Sequence, residues 1–161
     1  MQAALGWLAQ TLDAAGIGPW VREVAWIYPW ANVVHLLGLV LLIGAIGLLD
    51  LRILGLWRRL PLTVLSRALT PLAVAGLLIQ LVSGFVLFAA DGPALAGSAV
   101  FQAKLALLFL ALTNALAFRL TWSRRPRYSR SEPTPWARLS ALCSLALWLA
   151  IGATGRLIAY Y

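Results

Sequence analysis

Four stretches of this chain, about residues 30–49, 69–90, 99–121 and 136–159, are each twenty or more residues long and almost wholly apolar. No other feature constrains the fold as strongly. A helix that crosses a bilayer needs about 20 apolar residues, because the hydrocarbon is about 30 Å thick and the helix rises about 1.5 Å per residue. The stretches are continuous, whereas strands of a membrane barrel would alternate apolar and polar residues. The predicted fold is therefore all-α: an integral membrane protein built as an antiparallel bundle of four transmembrane helices. Composition agrees, with 62% hydrophobic residues and 11% charged, against about 25% charged in an ordinary soluble domain. A soluble domain could not hide so much apolar surface, and a disordered chain would show the reverse bias.

The segments between the spans read as turns. Asp91-Gly92-Pro93 punctuates a very short link between the second and third spans, which would make them antiparallel neighbours. Pro61 and the Ser- and Arg-rich stretch from Pro126 to Pro135 mark the other two turns. Residues 1–28 form a separate N-terminal interfacial segment, and residues 29–161 the four-helix transmembrane domain. In the N-terminal segment Leu5, Leu8, Leu12 and Ala15 recur at helical spacing before Gly16, Gly18 and Pro19 break the pattern. This predicts a short amphipathic helix lying on the outer surface. A second piece, Trp20 to Tyr28, leads into Pro29 at the start of the first span. The segment lacks the basic leader of a signal peptide, so cleavage is not expected. No internal repeat is evident.

The net charge of +8 would suggest nucleic acid in a soluble protein, but in a membrane protein Lys and Arg report topology. Arg52, Arg58, Arg59 and Arg67 flank the turn after the first span, and Arg119, Arg124, Arg125, Arg127, Arg130 and Arg138 the turn after the third. Only Arg22, Lys104 and Arg156 belong to the opposite side. The positive-inside rule then places both Arg-rich turns in the cytoplasm and both termini outside, with the bilayer as the partner of these charges and no role for nucleic acid. Trp57, Trp122 and Trp136 fall at the predicted inner interface, and Trp26, Tyr28, Trp30, Tyr160 and Tyr161 at the outer one. Trp148 stands apart, in mid-span.

Polar residues at depth are costly in a membrane and are candidate functional groups. His35 is the single histidine, with Asn32 and Gly38 on its helical face. Gln80 and Ser83 lie in the second span, Lys104 in the third, Thr154 and Arg156 in the fourth. One layer in the outer half of the bundle could thus collect Asn32, His35, Ser83, Lys104, Thr154 and Arg156, with Gln80 and Trp148 deeper, as a ligand pocket around His35 and Lys104. The plainer reading is that Lys104 and Arg156 snorkel to the headgroups, while Asn32, Gln80 and His35 hydrogen-bond between helices. At the other end Asp50 and Arg52 close the first span, and Asp50 is expected to pair with an arginine such as Arg67 or Arg119 as a structural clamp. Gly38, Gly44, Ala45, Gly47, Ala111, Ala115, Ser140, Ser144, Gly152 and Gly155 are small residues that allow helices to approach.

The inventory limits the chemistry. With one histidine and Met1 as the single methionine, one chain offers a single haem ligand; a bis-His haem would need a partner subunit or a dimer. Five-coordinate haem at His35 is compatible with the residues, Lys104 or Arg156 pairing with propionates and Trp148 packing on the ring. One Met and one Cys, Cys143, suit neither copper nor a cysteine-rich zinc site. No nucleophile stands beside a base at helical spacing, so an enzyme is not expected. A small membrane accessory or binding protein fits best, packing with itself or a larger membrane complex. A haem- or quinone-binding electron-transfer subunit comes second, and a small-solute or proton transporter third.

Around the first span, Tyr28-Pro29, His35, Gly38, Gly44, Asp50-Leu51-Arg52 and Leu54-Gly55 resemble a family of small bacterial inner-membrane proteins with four spans each, known only as a domain of unknown function. The resemblance covers about 30 residues and the four-span layout. It implies a bacterial inner-membrane location. Relatives often carry an acidic residue where this chain has Asn32. More distantly, the layout is similar to that of copper-resistance and b-type cytochrome membrane domains, a likeness of fold alone.

Overall fold

A computed structural model describes residues 1–123 and 133–158. Every regular element in it is a helix: α1 (Gln2–Ala14), α2 (Ile17–Glu23), α3 (Ile27–Leu54), α4 (Leu62–Gly97), α5 (Ala99–Ser123) and α6 (Pro135–Leu157). Four of them, Ile27–Leu54, Leu62–Gly97, Ala99–Trp122 and Pro135–Leu157, are long and apolar enough to cross a membrane. Arg124, Arg125, Arg127 and Arg130, on which much of the charge asymmetry rests, lie outside the described residues, as do Tyr160 and Tyr161.

The helices pack as two tight pairs. α3 lies against α4 along most of its length and α5 against α6, with α3 and α6 joining the pairs. Glycine sets the first contact. A Cβ on Gly76 would lie 2.6 Å from the Leu42 backbone nitrogen, and one on Gly38 would lie 3.1 Å from the Gly76 carbonyl oxygen. No side chain fits at that crossing, so the backbones meet directly, as small residues permit in apolar surroundings. Gly44 meets nothing within 4 Å and takes no part in such packing. Asn114 and Ser140 fasten α5 to α6 reciprocally: Asn114 Nδ2 donates to the Ser140 carbonyl at 3.0 Å and Ser140 Oγ to Asn114 Oδ1 at 2.9 Å.

The expected turn at Asp91-Gly92-Pro93 is not where the chain turns. Asp91 leaves helical geometry (φ −115°, ψ 17°), yet the helix resumes and runs to Gly97. Pro93 lacks the N–H that would close the preceding turn, so it kinks the helix there. The turn comes at Ser98, whose Oγ accepts from Phe101 N at 3.3 Å. Consecutive α4 and α5 scarcely touch each other. A short link therefore did not make them packed neighbours.

The N-terminal segment also departs from expectation. Gly16 adopts a left-handed conformation (φ 76°) between α1 and α2, but Gly18 and Pro19 lie inside α2. Pro19 is in the first turn, where its missing N–H has no partner to lose. Both helices fold onto the kinked end of α4. Ala9, Leu12, Val21, Ile27, Phe88, Ala89 and Ala90 form one buried cluster. Arg22 donates to Asp13 Oδ1 at 2.9 Å and to the Ala90 carbonyl at 2.8 Å, a carbonyl at the kink. The Tyr28 hydroxyl donates to Asp91 Oδ2 at 2.9 Å. Ala9 fills the space beside Gly92, where a Cβ would lie 2.8 Å from the Ala9 methyl.

Candidate functional site

The expected polar layer around His35 is only partly assembled. His35 Nδ1 lies 2.9 Å from Ser83 Oγ, and Gln80 Nε2 donates to the His35 carbonyl at 2.6 Å. Ser83 Oγ in turn donates to the Ile79 carbonyl at 2.5 Å. If Ser83 gives its proton to Ile79, its lone pair accepts from the imidazole N–H, so Nδ1 is the protonated nitrogen. The ring rests against Gly84, where a Cβ would come within 3.3 Å of it. These bonds join α3 to α4 and leave little for a ligand to use at Nδ1, Gln80 or Ser83.

Other expected members sit apart. Lys104 lies beside Gly155 of α6, where a Cβ would be 3.3 Å from Nζ, and within coulombic reach of His35. Asn32 is exposed and bonds its own helix, donating to the Tyr28 carbonyl at 3.0 Å. Thr154 does likewise at Ala150, and Arg156 is exposed near the end of α6. Trp148 packs with Leu42, Ala111 and Ile151, about two turns along α3 from His35. The bond to Ser83 engages Nδ1 of His35 and no bond among the described residues engages Nε2.

The clamp expected at Asp50 does not form either. Arg52 is buried and spends its guanidinium on the α3–α4 turn, with Nε donating to the Leu60 carbonyl at 2.8 Å and Nη2 to the Arg58 carbonyl at 3.0 Å. That turn begins at Gly55, left-handed at φ 117°, with Leu56 N reaching back to the Leu51 carbonyl. This is the glycine-ended helix stop that satisfies otherwise open carbonyls. Neither Arg67 nor Arg119 pairs with Asp50; among the described residues the ion pair formed is Arg22 with Asp13.

What surrounds Asp50 instead is a cavity of about 410 Å³. Its closed side is built from α3 (Leu42, Ile46, Asp50) and α6 (Ser140, Ser144, Trp148), and its flanks from α4 and α5. α4 and α5, which barely touch, stand on either side of it. Exposed Arg119 lies on the α5 wall with Trp122, whose ring stacks on Phe118 at 5.5 Å. Most of the wall is apolar.

Two polar atoms break that apolar lining. Among the described residues, the buried side-chain atoms without a hydrogen-bond partner are Asp50 Oδ2 and Trp148 Nε1. Both residues line the cavity, and they are 7% and 3% exposed. Buried polar groups are nearly always partnered, because an unmade bond costs about 1–3 kcal/mol. Neither atom has accessible surface, so both are left unpaired within the packing behind the cavity lining. Ser144 is the polar neighbour of the Asp50 carboxyl. Trp148 follows one turn later on the same face of α6, and helical side chains lean toward the N-terminal turn, so its indole tilts toward the Asp50 level.

The sequence carried a signal for this site that the charge-based reading passed over. Ser140, Ser144 and Trp148 recur every four residues, a stripe with polar atoms on one face. The sequence reading counts Ser140 and Ser144 as small packing residues and assigns Trp148 to the His35 pocket, and joins none of them to Asp50.

No curated protein and no solved structure matches this chain. A family model matches residues 14–161, which takes in every element from α2 to α6, the cavity and the Asp50-Leu51-Arg52 turn. The chain belongs to the family of unknown function DUF6644.

Proposed function

We propose that this protein is a membrane-embedded binding protein, and that its ligand is a small, largely apolar molecule taken up from the bilayer into the Asp50–Trp148 cavity. The observation that carries this is a cavity of about 410 Å³ with a mainly apolar lining that also holds Ser66, Thr70, Asn114, Ser140 and Ser144. A cavity lined mainly by apolar groups with a few placed polar atoms is the usual form of a small-molecule site. The site lies at the end with the α3–α4 turn and its Arg58 and Arg59, rather than in the layer around His35, where His35, Ser83 and Gln80 bond one another and Asn32 and Thr154 bond their own helices.

In this reading the four long helices are an antiparallel bundle in a bacterial inner membrane. Both termini face outward, the Arg-rich turns face the cytoplasm, and the cavity opens between α4 and α5 toward lipid in the cytoplasmic half. The outward apolar side chains contact lipid and, in part, a second copy or a larger membrane complex. Reporter fusions in the 124–132 segment and at the C-terminus test the orientation; a cytoplasmic C-terminus would refute it.

Equilibrium binding of a tritiated alkylbenzene to the full chain in lipid nanodiscs, with empty nanodiscs subtracted, tests the binding function. Saturable uptake near one molecule per chain is expected, and its loss in Ala115→Phe, which places a ring in the cavity wall. Uptake that only tracks the lipid, unchanged in the variant, would sink the proposal.

A further inference from the structure

The cavity changes character along its length, and we infer that its ligand is a single-chain anionic amphiphile, with the charged head at Arg119 and the chain running toward the middle of the four long helices. This rests on the cavity being a ligand site, as proposed above.

Two buried clusters mark the two levels of the cavity. At one, Ile53, Leu62 and Ala141 pack with Phe118 and Trp122, so the end of α3, the start of α4, the end of α5 and the start of α6 share a level. At the other, Leu42, Ala111 and Trp148 pack with Leu77, which brings the middle parts of the same helices together. The cavity lining takes residues from both levels. They are about 16 Å apart, the rise of α3 from Ile53 to Leu42.

Polar side chains line the first level and the turns next to it. Asp50, Ser66, Arg119 and Ser140 stand about one turn in from those helix ends, and Thr70, Asn114 and Ser144 about one turn further. Beyond them the lining is Leu42, Ala73, Val74, Leu77, Leu112 and Trp148, and the indole nitrogen of Trp148 is shut into the packing. A uniformly polar ligand would set its groups unpaired against Leu42, Leu77 and Leu112, at a cost of about 1–3 kcal/mol each. An amphiphile keeps its polar atoms where the wall is polar, and lies in the same sense as a lipid of the leaflet on that side. A volume of about 410 Å³ falls toward the lower end of small-molecule sites, about 300–1,000 Å³, which favours one chain over the two of a bilayer lipid.

The sign of the head follows from which side chains stay available. Asn114 and Ser140 bond each other, and Ser66 donates to the Thr63 carbonyl. Asp50 is 7% exposed, and one of its carboxyl oxygens is shut off entirely. Arg119 is exposed and forms no hydrogen bond or ion pair among the described residues. Its guanidinium donors are the free valence at that level, and they suit a carboxylate or phosphate through charge-assisted bonds. A cationic head would meet the charge of Arg119 on the exposed wall and be repelled.

The probes are radiolabelled dodecanoate, dodecyl phosphate and dodecanol, which share a chain and differ in the head. Their binding to the full chain in zwitterionic nanodiscs is measured, with empty nanodiscs subtracted, for wild type, Arg119→Gln, Arg119→Lys and Arg67→Gln. Wild type is expected to bind an anion about fivefold more tightly than the alcohol after correction for partitioning, the scale of a charged contact at an exposed arginine. The preferred anion tells carboxylate from phosphate. Arg119→Gln should bring the ratio close to one with the affinity for dodecanol unchanged, and Arg119→Lys should keep part of the preference. Arg67, exposed on α4 and outside the lining, controls for surface charge, and its substitution should leave the preference intact. Equal binding of all three probes in wild type, with each lost in Ala115→Phe, would overturn the anionic head and leave the binding function standing. So would a preference that Arg67→Gln reduces as much as Arg119→Gln does. Absence of saturable binding by any probe would remove both.

Discussion

The two ends of this molecule treat their polar groups in opposite ways. At the end carrying α1 and α2, the kink in α4 frees carbonyls and exposes an acidic side chain, and each named group there finds a partner: Ala90 O and Asp13 at Arg22, Asp91 at Tyr28. Apolar residues from four elements close around Phe88. At the other end, the turn between α3 and α4 is just as well fastened by Arg52, but the space behind it is not filled. Asp50 Oδ2 and the Trp148 indole nitrogen are buried there with no partner. Asp50 goes without an arginine partner although Arg52 is two residues away in sequence and Arg119 lies on the cavity wall. The contrast is between an end whose polar groups are paired within the fold and one that leaves a cavity and two unpaired buried atoms.

Substitutions that separate the two ends should differ in sign as well as size when unfolding of the full chain is followed in one fixed detergent. Phe88→Ala at the filled end should have the largest effect, a loss of about 3–5 kcal/mol for an aromatic side chain removed from a closed core. Asp50→Leu at the open end should raise stability by about 1–2 kcal/mol, because it removes an unpartnered buried carboxyl and fills space. If it destabilised as much as Phe88→Ala, the two ends would be alike and the comparison would fail. Arg22→Ala should cost about 1 kcal/mol, chiefly through the Ala90 carbonyl, since the contact with Asp13 is largely exposed and worth little. Gly44→Ala, at a position with open space around it, should be the smallest, a gain of about 0.5 kcal/mol from helix propensity. A large loss there would reveal a helix partner, such as a second copy, on that face.

The resemblance drawn from the first span was to a family of unknown function, and the family match over residues 14–161 agrees with it on that point. The helical layout was also legible. Span positions fell within the observed helices, except that the fourth was carried to Ala159, beyond the described residues, and the helices extend further than hydropathy suggested, as α4 from Leu62 to Gly97 shows. Gly and Pro misled at two places, Gly18-Pro19 and Gly92-Pro93, where a first helical turn and a kink absorbed residues that usually end helices. The pairing of His35 with Ser83 could be foreseen as an interhelical bond but not distinguished from a pocket. Asp50 was expected to find an arginine, and Arg52, Arg67 and Arg119 all proved to lie elsewhere or be otherwise engaged.

What the sequence determined by itself is therefore what depends on sums along the chain: how many helices, how long, and how apolar. Hydropathy is additive over neighbouring residues, so a window of about 20 suffices to read it. Which side chains meet was decided by tertiary structure alone. The four long helices are apolar nearly all round, so they carry no strong stripe to fix which face turns inward. Their rotation and depth follow from backbone contact at Gly38 and Gly76 and from the Asn114–Ser140 link. Those contacts turn Asp50 and Trp148 toward one cavity and leave α4 and α5 apart. The physical reason is that close packing depends on pairs of surfaces, and no single helix contains that information.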